Sequence, residues 1–175
     1  MPTALELRRL TAADEAVFRR AYATWDTEQS LGFVFARGYD PAAPFSAYLT
    51  LLEDNRAGRN LPDGFVADTS LFGFKGPELV GMLAIRHELN DFLLRIGGHI
   101  GYGVLPPHRG HGYAAEMLRQ GLVVARGLGI ERALVTCDDN NPASARTIER
   151  CGGVYENSTD MGAGKPPKRR YWIGT

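Results

Sequence analysis

Residues 98–137 read in order as a β-strand, a glycine-punctuated turn, an amphipathic helix and a second short apolar strand, and this order leaves few folds open. The helix carries Ala114, Met117, Leu118, Gly121, Leu122, Ala125 and Leu128 at three- and four-residue steps and stops at Gly127 and Gly129. Residues 132–137 then form a buried strand. Two strands joined by a crossover helix of about fourteen residues lie parallel, because a tight hairpin can only reverse the chain.

The remaining strands read as antiparallel. Residues 70–74 and 79–86 flank Gly76-Pro77 and predict a hairpin. Residues 87–91 are a polar connection, and 93–96 lead through Gly97-Gly98 into the first strand of the crossover unit. Before the hairpin, Ala13, Val17, Phe18, Ala21, Tyr22 and Trp25 share one helical stripe behind a capping-box-like Thr11 and Asp14. A second helix is predicted over 41–52, with Phe45, Tyr48, Leu49 and Leu52 on one face. After the crossover unit, Pro142 opens a helix running to Arg150 that Gly152-Gly153 stops. Residues 157–168 read as a loop and 170–173 as a closing edge strand. The length suits one domain over 1–175.

The turn between strand and helix carries the strongest chemical signal. Gly110 and Gly112 let the backbone turn tightly, and the first amides of the following helix have no partner within it. Such a turn is an anion cradle suited to a phosphate or pyrophosphate. The G-x-G-x-x-G spacing of a dinucleotide-binding unit is absent, as is the Lys-Ser/Thr of a P-loop. Glycines at 97, 98, 101 and 103 weaken the strand feeding the cradle, which points to a close approach by a ligand or another backbone.

Composition excludes several partners. Twenty Lys+Arg balance twenty Asp+Glu, so no global field favours nucleic acid or an anionic membrane. The chain holds no long apolar run, and a soluble, cytoplasmic protein is expected, monomeric or homodimeric. Cys137 and Cys151 lack the spacing of a metal site or a disulfide scaffold, and no metal is expected.

Arg109-Gly110-His111-Gly112-Tyr113-Ala114 matches an R-x-x-G-x-A pattern, with Val104 and Pro106 ahead of it and an asparagine-led helix, residues 141–153, beyond the next strand. In these ordered motifs the chain resembles the GNAT superfamily of N-acetyltransferases, over residues 79–155. It is most similar to a bacterial group with a Gly-His-Ile-Gly-Tyr strand and a terminal Arg-Tyr-Trp-Ile. The resemblance implies a mixed α/β (α+β) fold: a twisted, mostly antiparallel sheet of six to seven strands, one parallel splayed pair and about four helices. It also implies acetyl-CoA as acyl donor, held by Val104, Arg109, Gly110, His111, Gly112, Tyr113, Ala114, Asn141 and Ser144. The implied reaction is direct attack by an amine, on a small molecule, a peptide N-terminus or a lysine, in a ternary complex.

That chemistry needs a base for the amine, a donor for the developing oxyanion and an acid for the departing thiolate. His99 is the first candidate base and His87 the second, since both titrate near neutrality. Backbone amides near Val104 are candidate oxyanion donors. Many family members place a tyrosine acid where this chain has Ile148, so the role passes to Tyr102, Tyr113 or solvent. Glu28, Glu88 and Asp91 are candidates for recognising a cationic amine. Lys165, Lys168, Arg169 and Arg170 either approach the adenosine 3′-phosphate or form a wetted face. Two other functions fit the motifs: an acyl-CoA-binding sensor or partner-binding module without catalysis, and an acyltransferase for longer acyl chains.

Overall fold

The computed structural model describes residues 4–25 and 33–175. Its seven strands are β1 (Leu5–Arg8), β2 (Asp68–Lys75), β3 (Glu78–Arg86), β4 (Ile100–Val104), β5 (Arg132–Asp138), β6 (Val154–Thr159) and β7 (Lys168–Gly174). Four α-helices accompany them: α1 (Glu15–Ala23), α2 (Phe45–Arg56), α3 (Tyr113–Gly127) and α4 (Pro142–Arg150). They build one sheet in the order β1-β2-β3-β4-β5-β7-β6, and only β4 and β5 run parallel.

Each face of the sheet buries a different layer. On one, Met117, Leu118, Leu122 and Ala125 of α3 and Ile148 of α4 meet Leu83, Ile85, Ile100 and Val135. On the other, α1 and α2 bring Phe18, Phe45 and Tyr48 onto Phe72, Phe74 and Met82. Phe18 is fully buried at the centre of this aromatic layer, 4.9 Å centroid to centroid from Tyr39 and 5.2 Å from Tyr48.

Several expected boundaries move. The first helix begins with a 3₁₀ turn at Ala12–Asp14, where Asp14 accepts the Thr11 amide at 2.7 Å as the capping box requires. The second starts at Phe45 rather than 41, because Pro44 sits in an extended conformation that cannot continue a helix backwards. Residues 93–97 form a π-helical turn instead of an extended lead-in. The N-terminal segment, for which no element was expected, supplies the edge strand β1.

The C-terminal end departs most from expectation. Residues 154–159 are a strand, where a loop was expected from 157, and β7 lies inside the sheet between β5 and β6 instead of at its edge. β6 is exposed along nearly its whole length and so carries no alternating apolar signal. Cross-strand contacts from Arg170 to Glu156 at 2.6 Å and to Asn157 at 2.8 Å help hold it.

Two strand glycines have a steric cause. A Cβ on Gly103 would lie 2.5 Å from the ring of Phe33 and 3.0 Å from Trp25, so β4 lets an aromatic pair rest on its backbone. Gly98, at φ +65, brings its backbone against the Leu134 carbonyl, where a Cβ would meet the oxygen at 2.6 Å.

Candidate active site

β4 and β5 pair at a single position, Ile100 with Val135, and then part. On the other side β4 stays in register with β3 from Ile100 to Val104. Leu105 donates to Val80 and Arg86 to His99 across that ladder. Strict alternation therefore turns the amides of Tyr102 and Val104 away from β3, toward the opening beside β5. A sheet that opens at the carboxyl end of a parallel pair is a common place for a ligand.

The glycine turn expected to cradle an anion closes one end of the opening. Gly110 and Gly112 both hold φ +79, and a Cβ on either would touch nothing within 4 Å, so the turn selects glycine through its backbone conformation. Glu116 is the first residue of α3 whose amide bonds back, to Gly112. Among the described residues, no backbone carbonyl accepts the amides of Tyr113, Ala114 and Ala115. Arg109 Nε reaches the Val104 carbonyl at 3.1 Å and ties the turn to β4. His111 stacks on Tyr113 at 5.6 Å. A cavity of about 400 Å³ is lined by Val104, Arg109, Gly110, Gly112, Tyr113, Ala114, Asn141 and Ser144 together with Arg146, Thr147 and Arg150.

Tyr102, Asn141 and Ser144 line both this cavity and a second, of about 290 Å³, in the gap itself. The Tyr102 hydroxyl lies 2.8 Å from Ser144 Oγ, and burial pushes its pKa up, so the phenol keeps its proton. Asn141 Oδ1 accepts the Ser144 amide at 3.1 Å as the N-cap of α4. Phe33, Arg86 and Phe92 are shared by the gap and a third cavity of about 450 Å³, on the side of the aromatic layer. The three cavities thus make a track of neighbours across the sheet, each sharing lining residues with the next.

The Acetyltransferase (GNAT) domain family model matches residues 4–154. The chain belongs to the GNAT acetyltransferase family. As a GNAT acetyltransferase it is an acetyl-CoA-dependent acyltransferase. Among solved structures it is similar to a spermidine N-acetyltransferase from Vibrio cholerae in complex with CoA and spermine, at 18% identity and TM-score 0.59, covering 97% of this chain and 95% of that one. It is also similar to a putative acetyltransferase from Salmonella typhimurium with its cofactor acetyl-CoA, at 16% identity and TM-score 0.62, covering 98% and 94%. An acetyltransferase from Agrobacterium tumefaciens aligns at 21% identity and TM-score 0.61, covering 100% and 93%. A search of curated proteins finds no match. The seven-stranded sheet with one parallel pair is the GNAT architecture expected from the motifs.

The two candidate histidines of this GNAT domain sit outside the track. His99 is buried, its Nδ1 accepts the Leu134 amide at 2.9 Å, and its ring meets the edge of Trp172. Burial, and then the charge of Arg86, hold its pKa below the usual range. His87 Nε2 lies 2.8 Å from Thr69 Oγ1 at the far end of β3, and burial lowers its pKa too. Neither lines any of the three cavities. The parity of β4 could not be read from sequence, because Gly98 turns its His99 amide toward Leu134 and so breaks the alternation.

Other expected residues are absorbed structurally. Lys168, Arg169 and Arg170 pair with Asp138, Asp139 and Glu156. Glu88 and Asp91 are exposed and line none of the three cavities, while Glu28 lies outside the described residues. Cys137 is buried, which pushes its thiol up to about 11 and disfavours a nucleophilic thiolate. Ile148 is fully buried beneath the gap. The residue that sequence reasoning missed is Arg86. At the end of an apolar strand it reads as a boundary residue, and only the tertiary fold places it between two cavities.

Proposed function

We propose that this GNAT acetyltransferase holds acetyl-CoA along the opening between β4 and β5 and acetylates an amine entering from the cavity beside Phe33 and Arg86. The observation that carries the reading is the row of three neighbouring cavities that runs from the α3 turn, past Tyr102 and Ser144, to Phe33 and Arg86, each sharing lining residues with the next. The site fits the donor: three unpaired helix amides suit a diphosphate, and the outward amides of β4 suit an extended amide chain pairing as a further strand.

Bound acetyl-CoA supplies the acetyl group as a thioester. The amides of Tyr113, Ala114 and Ala115 hold the diphosphate, with Arg109 bracing the turn through Val104. The Val104 amide faces the opening and is positioned to stabilise negative charge on the acyl oxygen. The Tyr102 hydroxyl, kept protonated by burial and oriented by Ser144, donates a proton to the departing sulfur, the role left open by Ile148, while the attacking nitrogen gives up its proton to solvent and solvent reprotonates the phenolate. Among the described residues, the carboxylates lining the gap and the third cavity, Asp138 and Asp68, are already in ion pairs. The attacking amine therefore enters the reaction from its neutral fraction, and alignment of the two reactants supplies much of the acceleration.

The test is calorimetric titration of coenzyme A followed by mass-spectrometric detection of acetylated product from amine panels. Saturable coenzyme A binding with transfer supports the proposal. Binding without transfer to small amines, peptide termini or lysines favours a non-catalytic acyl-CoA sensor.

A further inference from the structure

Among the described residues the third cavity carries more cation than anion. Arg37, Asp68 and Arg86 are the charged side chains that line it there, two guanidiniums to one carboxylate. Asp68 is buried and already committed: its Oδ2 accepts from Arg37 at 2.6 Å, and Ser70 Oγ is 3.5 Å from Oδ1. Arg86 has no carboxylate within 4.0 Å among the described residues, and its one hydrogen bond, from Nη1 to the Gly97 carbonyl, is long at 3.4 Å. Half-buried, this guanidinium lies over β4, where a Cβ on Gly101 would sit 3.2 Å from Nη1. A partly desolvated guanidinium with most of its five donors unused is poised for an anion, and its planar fork suits a carboxylate.

We infer that Arg86 selects acceptors bearing a carboxylate beside the reactive amine, as in an amino acid with an apolar side chain, and disfavours polyamines. This rests on the acetyltransferase reading of the same track. Phe33, Phe65, Phe92, Met82 and Leu93 give the cavity an apolar wall for such a side chain. Arg86 lies where this cavity meets the gap, so a carboxylate held there sets its neighbouring amine at the approach to Tyr102. A polycation would add charge to a site whose described lining is already net positive, an arrangement that costs binding.

Calorimetry on the coenzyme A-bound protein compares two product-like probes, N-acetylphenylalanine and N-phenethylacetamide, which differ only in the carboxylate. Rates are then compared for phenylalanine, phenethylamine and spermidine. The carboxylate-bearing probe is expected to bind about 10- to 100-fold tighter and phenylalanine to be the best acceptor of the three. Arg86→Gln removes both preferences, and Arg86→Lys restores part of them. Equal binding of the probes, binding of neither, a preference for spermidine, or an unchanged preference in Arg86→Gln overturns the inference. Coenzyme A titrated alone separates the two readings: if it binds while the carboxylate preference fails, only this inference falls, and if it does not bind, both fall.

Discussion

Tyr102 and Ser144, 42 residues apart in sequence, meet across the splayed strands with 2.8 Å between their hydroxyl oxygens. One comes from β4 and the other from the first turn of α4, so the contact spans the gap in which the proposed reaction takes place. In the proposed reaction this pair supplies the proton donor that Ile148 cannot be.

Tyr102→Phe keeps the ring and removes the proton. Its kcat is expected to fall roughly 10²-fold while the dissociation constant for coenzyme A holds. Ser144→Ala, which only loosens the phenol, has a smaller effect. Steady-state kinetics beside calorimetry measure both, and an unchanged kcat in Tyr102→Phe assigns the proton to solvent.

Gly112→Val places a β-branched side chain at φ +79 with open space around it. The strain, about 1–2 kcal/mol, falls on the turn and not on the core. The protein stays folded by circular dichroism, and coenzyme A binding weakens at least about tenfold as the α3 amides lose their alignment.

His99→Ala leaves the buried Leu134 amide without its acceptor and lowers stability by about 1–3 kcal/mol in urea unfolding. The pH–rate profile keeps its shape, because the imidazole stands outside the track. A profile that flattens in this variant would falsify the structural role and restore His99 as the base.

Arg8 donates two hydrogen bonds of 2.8 Å to Asp14, and this contact above all holds the Asp14 carboxyl at about 2. A carboxyl depressed by folding stabilises the protein fully above its unfolded value of 3.8 and loses that contribution as pH falls through about 2. Asp14→Asn is therefore expected to be about 2 kcal/mol less stable at pH 6, with the difference closing as pH falls from 4 toward 2. Denaturant midpoints at several pH values read this directly.

Features governed by neighbours in the chain were legible beforehand. Apolar spacing revealed α1 and α3, Gly76-Pro77 located the β2–β3 hairpin, and Asn141-Pro142 announced the cap of α4. Gly110 and Gly112 were legible as a cradle because left-handed backbone and free helix amides are local properties. β6 was not legible, because an exposed edge strand buries too little apolar surface to leave an alternating pattern.

By itself the sequence determined the order of elements, the parallel crossover and the glycine turn ahead of α3, since each follows from local conformational preference and the limits of chain connection. The tertiary structure decided which polar groups are occupied. It fixed the imidazole of His99 to Leu134, drew Lys168, Arg169 and Arg170 into ion pairs and left Arg86, between two cavities, without a carboxylate among the described residues. Local pattern cannot report such differences, because the solvation and charge of a side chain depend on elements far away in the chain that fold around it.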